Sequence, residues 1–382
     1  MQILSVINFA AAVQGLFLSY LLINRKPDSR EHNMLALLVL VMSLAILGAV
    51  LGLSGYYREL PHLIRVGDPL VLLFGPLLFF YIHLLTKGVL PLRYWLHLIP
   101  FAVYLATLVP FYSLSAAEKI AFVDKVFLDN RPNAQVTTIQ LIRLAHVLAY
   151  VLASYFLLRG FSRFLKDNYS DLDRLNLDKA TILLQLFIGL TFFRLCLYVA
   201  GYFIHLNFVV TNNIISLMTS VVIYALAYSV WNRTAKPDFQ ATTGRPASVE
   251  PPGDEAGAQE RLRNTYYLSE EQSEALAEKL EQLFREEKLY LLPELSLSQL
   301  SERLGVPSYL ASELLNRKYK DSFFDFINRN RIEEVKRRLA DPAFSHYSIL
   351  GIAMDCGFNS KSSFNTAFKK FTGSTPSEYR QR

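Results

Sequence analysis

Residues 347–379 read YSILGIAMDCGFNSKSSFNTAFKKFTGSTPSEY, and the spacing of apolar side chains along them decides what this end of the chain builds. Ile349, Leu350, Ile352 and Ala353 mark a short helix with one apolar stripe, which Cys356-Gly357-Phe358 interrupts. Asn359 or Ser360 is placed to cap a second helix, along which Phe364, Ala367, Phe368 and Phe371 recur at three- and four-residue steps. That spacing leaves Lys361, Ser362, Asn365, Thr366, Lys369 and Lys370 facing outward. The result is a helix-turn-helix with a polar, basic second helix. Such a helix suits the major groove of duplex DNA, where Asn reads adenine, Lys reaches guanine or phosphate, and Ser or Thr is permissive.

A second helix-turn-helix precedes it. Leu297, Leu300 and Leu304 mark its scaffold helix, Gly305-Val306-Pro307 its turn, and residues 308–317 its recognition helix. Phe323, Phe324, Phe326, Ile327, Ile332, Val335 and Leu339 then run through a long helix over 322–340, stopped by Asp341-Pro342. At the α-helical rise that spacer is about 28 Å long. Two recognition helices on it reach successive major grooves about 34 Å apart, with DNA bending making up any shortfall. From residue 296 onward there are fourteen Lys and Arg against nine Asp and Glu, so phosphate contacts and a steep salt dependence are expected.

The carboxyl-terminal residues resemble the AraC/XylS family of bacterial transcription regulators, whose signature runs IA-x-x-x-GF-x-S-x-S-x-F-x-x-x-FK-x-x-x-G-x-TP-x-x-YR. The matching residues are Ile352, Ala353, Gly357, Phe358, Ser360, Ser362, Phe364, Phe368, Lys369, Gly373, Thr375, Pro376, Tyr379 and Arg380. The resemblance says nothing about the first two-thirds of the chain. It implies that Lys361, Ser362, Asn365 and Thr366 meet bases, with Lys369 toward phosphate, and that Tyr309, Ser312 and Glu313 do so in the first reader. Two positions depart from the family pattern: Ala311 stands where a buried Leu is common, and Glu313 where a cation is frequent. A carboxylate accepts from cytosine but repels phosphate, so the second reader is expected to carry more of the specificity.

Upstream of the readers, 269–288 has the pattern of an acidic helix, opened by Ser269 and Gln272 and apolar along Leu276, Leu280, Leu283 and Phe284. It props the reader domain or makes a homodimer contact. Before it, 236–265 is rich in Pro, Gly, Ala, Thr and Glu, as in GRPASVEPPGDEAGAQE, which is the composition of a flexible tether.

The rest of the chain is of another kind. The whole sequence is 52% hydrophobic, with 27 Phe and 21 Tyr and a net charge of +6, and its mean hydropathy of +0.24 is too apolar for an average soluble protein. Seven apolar runs, near 3–23, 33–54, 69–86, 94–111, 137–158, 180–204 and 213–231, have spanning length. The first lacks the basic leader and cleavage site of a secretory signal and is expected to remain a span. Arg25, Lys26, Arg30, Lys87, Arg93, Arg159, Arg163, Lys166, Arg174, Lys179, Arg233 and Lys236 fall in alternate connections and the tail. The other connections hold only Arg58, Arg65, Lys119, Lys125 and Arg131. The positive-inside rule puts the amino terminus outside and the carboxyl terminus in the cytosol of a multi-pass inner-membrane protein.

Two connections have patterns of their own. Residues 115–128 open on a Ser115/Glu118 capping box and align Ile120, Val123, Val126 and Phe127, as an outer interfacial helix would. Residues 159–179 mix Phe161, Phe164, Leu165, Tyr169 and Leu172 with charges; they lie on the inner membrane surface or contact the tail, and an amphipathic connector is the simpler reading. Within the spans, Gln140, Arg143, His146 and Tyr150 recur at helical steps, as do Arg194, Tyr198 and Tyr202. Intramembrane arginines face a bundle interior or a wet cavity, which points to a pocket for an anionic or polar ligand, or else snorkel or bond carbonyls. Arg143, His146, Tyr150, Arg194 and Tyr198 are its candidate ligand-sensing residues.

No catalytic triad, phosphate loop, paired-carboxylate arrangement or metal-spaced cluster is present, so neither an enzyme nor a cofactor is expected. His83 and His97 read as hydrogen-bonded core histidines, and Cys356, one of two cysteines, as a small core residue. The expected architecture is all-α: a seven-helix membrane sensor module (1–235), a linker (236–265) and a DNA-binding domain with two helix-turn-helix motifs (266–382). Its partners are double-stranded DNA, the lipid bilayer and a small-molecule or protein signal. A transporter or membrane receptor with an autoregulatory DNA- or protein-binding tail is the alternative, although Gly75-Pro76 and Pro100 are not mirrored in later spans as paired repeats would require.

Overall fold

A computed structural model describes residues 2–25, 29–128, 134–172, 177–204, 208–234 and 268–380. The described residues contain no strand, and the helices fall into two compact units, one holding residues up to 158 and from 178 to 240, the other 159–177 and those from 241 on. The 236–265 tether lies outside the described residues.

The first unit contains α1 (Gln2–Arg25), α2 (Arg30–Ser54), α3 (Phe74–Lys87), α4 (Ile99–Tyr112), α5 (Ala116–Leu128), most of α6 (Ala134–Asn168), α7 (Leu177–Ile204) and α8 (Phe208–Thr234). Helices α1, α2 and α8 meet where Gly15 leaves room: a Cβ there would lie 2.1 Å from the Ser43 hydroxyl and 3.2 Å from Ile223. Ser19 donates to the Ala36 carbonyl and Ser220 to the Asn8 side chain, so polar groups on these apolar helices bond one another. Among the described residues, six helical segments are long and apolar enough to cross a membrane: Ile3–Asn24, Arg30–Gly52, Pro69–Lys87, Leu92–Tyr112, Thr137–Asn168 and Ala180–Ala200. The last expected run lies on α8, of which the described side chains give the apolar stretch Thr211–Ala227. Helix α5 starts on the expected capping box, Ser115 and Glu118 bonding reciprocally, and Ile120 and Val123 pack on Tyr57, Ile64 and Phe111.

The second unit is built on its spacer. Helices α9 (Glu270–Glu286), α10 (Leu297–Leu304), α11 (Ser308–Leu314), α12 (Phe323–Ala340), α13 (Ile349–Asp355), α14 (Lys361–Thr372) and α15 (Pro376–Arg380) make two cores that share α12. Phe323, Phe326 and Ile327 from its first half join Leu276, Leu280, Leu300 and Leu314. Ile332 and Val335 from its second half join Ile352, Ala353, Cys356, Phe364 and Phe368. Each reader therefore owns one half of the spacer. Helix α9 carries the full Ser269/Gln272 box and buries Leu276, Leu280 and Phe284, so it props the first reader. Residues 159–177 also belong to this unit: Phe161 and Leu165, packed by Phe164, Tyr169, Leu172 and Leu177, form a small core of their own.

Candidate nucleic-acid interface

Most of the family signature turns out to be architecture. Gly357 has φ near +91°, and a Cβ on it would lie 2.7 Å from the Leu291 carbonyl oxygen and 2.9 Å from Arg331 Nε, so only glycine fits this turn. Ser360 caps α14 by accepting from the Ser363 amide at 3.0 Å, and Gly373 ends that helix at φ +74°. Thr375 and Glu378 form a capping box around Pro376 at the first helical position, and Tyr379 packs edge-on against Phe368. Arg380 donates to the carbonyls of Tyr347 at 2.9 Å and Ser345 at 2.6 Å, closing the last helix onto the segment before α13.

What this scaffold presents is the outer face of α14. Phe364, Ala367 and Phe368 are buried, whereas Lys361, Ser362, Asn365, Thr366 and Lys369 are exposed on the other side, as the spacing predicts. Lys370 is exposed too but is held by Asp325 at 2.7 Å. Leu350, expected on the apolar stripe of α13, is 36% exposed, leaving Ile352 and Ala353 as the residues that bury.

The first reader is partly different from its sequence reading. The recognition helix spans Ser308–Leu314 and continues as a wider π turn, Leu315–Tyr319. Tyr309 and Ser312 are half-buried, and Ser312 accepts from the Asn316 amide. Glu313 does not face outward. It is 8% exposed, accepts from the Leu268 amide at 3.2 Å and pairs with Arg317 at 3.1 Å, so its carboxylate ties the start of α9 to α11. The carboxylate that stands where a cation is frequent thus has structural partners inside the unit.

One residue that the sequence reading counted among the cations available to phosphate, Arg331, is instead buried and holds the unit together. Arg331 is 1% exposed at the junction of the two cores, its Nε donating to the Tyr290 carbonyl at 2.7 Å and a terminal nitrogen to the Leu292 carbonyl at 2.6 Å. Burial lowers its pKa to about 10, against the opposing pull of the Asp171 carboxylate. Its signal was present: Ile327, Arg331 and Val335 are four apart, placing an arginine on the buried stripe. Nearby, Glu334 is also buried. Desolvation pushes its pKa up, but hydrogen bonds from Arg337 and Arg338 and the charge of Lys288 together bring it below the ordinary carboxylate value. Cys356 is fully buried, and desolvation raises its thiol to about 12, in keeping with a core residue.

Of the candidates in the first unit, Arg143 and Arg194 are buried and His146, Tyr150 and Tyr198 half-buried. Arg143 and Arg194 are 7% and 6% exposed, the former lying 4.7 Å from the Tyr104 ring. Tyr198 donates to Gln140 at 3.1 Å across α6 and α7, and Tyr150 shares a hydrogen bond with His97 at 2.8 Å. One turn from the Gln140–Tyr198 bond, toward the 169–176 connection, come Arg143 on one helix and Arg194 on the other. Arg143 Nε, one of its terminal nitrogens, Arg194 Nε and both His146 ring nitrogens are buried with no hydrogen-bond partner among the described residues. No group of three His, Cys, Asp or Glu with metal-binding geometry occurs among the described residues.

A helix-turn-helix domain family matches residues 300–382. Relatives named as HTH-type transcriptional regulators from Staphylococcus aureus strains COL and MSSA476 are each 37% identical over 93 residues, 24% of this chain. The match spans 12% of the length of those relatives. No solved structure matches the chain. The second helix-turn-helix motif, the first from the middle of its scaffold helix onward, the glycine turn, the Thr-Pro box and the arginine closure lie inside the matched segment, and the carboxyl-terminal domain is an AraC-type helix-turn-helix domain.

Proposed function

We propose that this chain is a membrane-bound one-component transcription regulator, in which a carboxyl-terminal domain reads DNA under the control of a signal received by the membrane helices. The observation that carries the DNA-binding part is the outer face of α14: five polar or basic side chains exposed on a helix whose opposite face is locked into a core. Lys361, Ser362, Asn365 and Thr366 meet base edges and Lys369 meets phosphate, while Tyr309 and Ser312 give the first reader a weaker share.

Six apolar helices and the shorter Thr211–Ala227 support seven passes, with the amino terminus outside and the readers in the cytosol. The buried arginines support an anionic ligand as the signal. Desolvated guanidinium nitrogens with no protein acceptor favour a carboxylate or phosphate group, and Arg143, His146, Tyr150, Arg194 and Tyr198 would line its site. These side chains offer the chemistry of recognition, and the chain acts as a regulator rather than an enzyme.

The test is to offer the full-length chain in lipid nanodiscs a random duplex pool. Enrichment of one family of sequences is expected, abolished by combined Lys361→Ala, Asn365→Ala and Lys369→Ala changes. Equal retention of all sequences by both proteins would contradict the reading.

A further inference from the structure

The link between α6 and α7 is more than a connector. Tyr169 forms an antiparallel bridge with Ser296, the cap of α10. Ser170 is 2% exposed, and both its amide and its hydroxyl donate to the Leu295 carbonyl, at 3.2 Å and 2.7 Å. The same hydroxyl accepts from an Arg331 terminal nitrogen at 3.3 Å. Asp171 accepts from the Asn359 side-chain amide. Three consecutive residues thus reach the start of the first reader, the arginine joining the two cores, and the residue just before the cap of the second recognition helix.

We propose that residues 159–172 are a latch that docks on the DNA-reading domain and holds it in a low-affinity state, and that a signal acting on α6 and α7 works by withdrawing them. The latch rests on the function proposed above. Its route is covalent and short. Helix α6 is continuous over 35 residues, Ala134–Asn168, with Arg143 in its first third and the bridge residue Tyr169 next after its last residue. A displacement at the ligand site is delivered to Ser170 without passing through the tether.

Its sign comes from charge. Lys361 and Ser362 form the first turn of α14, and Asn359 is two residues before Lys361. A carboxylate held there is within a Debye length, about 8–10 Å, of any phosphate the first turn meets, so it repels DNA. It also occupies the helix end whose dipole favours anions. Withdrawing Asp171 frees that end for phosphate. The bonds that hold the latch are few, and the one at Asn359 is exposed to water, so the docked state is releasable.

The test uses the full chain in nanodiscs and a duplex enriched from a random pool by the wild-type protein. Tyr169 and Ser296 form a bridge pair, whose Cα separation of about 4.5–5.5 Å admits a disulfide. A Tyr169→Cys, Ser296→Cys protein carrying Cys196→Ser, with the buried Cys356 left in place, is compared oxidised and reduced. The oxidised form is expected to bind the duplex at least about fivefold more weakly than the same protein reduced, and Asp171→Asn to bind at least about fivefold more tightly than wild type. Equal affinities of the oxidised and reduced forms, or weaker binding by Asp171→Asn, would overturn the latch while leaving DNA recognition intact. A wild-type chain that enriches no duplex would overturn the function on which it rests, and the latch with it.

Discussion

At the scale of single residues, the side chains that define the signature and those proposed to meet DNA are largely different groups. Gly357, Ser360, Gly373, Thr375 and Arg380 fix backbone geometry, and Asn365 and Lys369 project from it. Substitutions should separate the two classes. Asn365→Ala is expected to relax base preference at a few positions, costing about 1–3 kcal/mol there, whereas Lys369→Ala weakens all duplexes alike. Titrations against the preferred and a scrambled duplex distinguish these, and equal losses for Asn365→Ala on both would refute its assignment. Gly357→Ala acts on folding instead. A Cβ at positive φ against the Leu291 carbonyl destabilises by more than about 1 kcal/mol, readable as a lower urea midpoint for the second unit. Glu313 shows why one site residue was misplaced from sequence. Its position on the recognition helix is outward by analogy, but the Leu268 amide and Arg317 offer it a better partner inside.

At the scale of elements, the spacer α12 carries an ionic device with a pH signature. Glu334 is paired in the native state with Arg337, Arg338 and Lys288, and its folded pKa is depressed. Its contribution is therefore present above the unfolded carboxylate value and is lost as pH falls through the lower folded one. Glu334→Gln is expected to destabilise the second unit by about 1–3 kcal/mol at neutral pH. The gap to wild type should close below about pH 4, as seen by pulse proteolysis of the full chain across pH. A gap unchanged in acid would rule out the ionic role. The helices themselves were legible wherever period and caps agreed: α9, α12 and α14 begin on the serines their sequences advertise. The π turn after α11 and the exposure of Leu350 were not, because both depend on how neighbouring helices crowd the end of a short element.

At the scale of the whole molecule, the connection after α6 takes the less simple of the two places its composition offered, in contact with the carboxyl-terminal helices. Residues 159–177 have the pattern of an amphipathic connector, but their partners are Leu295, Ser296, Arg331 and Asn359, far away in sequence. Long-range polar pairing of this sort leaves no local pattern. The same holds for the buried arginines: their cost was readable from sequence, and the Gln140–Tyr198 bond between their helices was not. If they receive an anionic signal, Arg143→Leu and Arg194→Leu chains that insert normally should lose signal-dependent change in reporter output while keeping DNA binding in vitro. An unchanged response in both would remove the ligand site from the account.

The central claim, that a chain held in the membrane reads specific DNA through α14, is tested most directly by cross-linking cells that express the full-length protein and mapping the DNA recovered with the membrane fraction. The account predicts discrete enriched sites sharing one sequence pattern, lost in the Lys361→Ala, Asn365→Ala, Lys369→Ala chain. Uniform recovery of genomic DNA, unchanged by those substitutions, would contradict it.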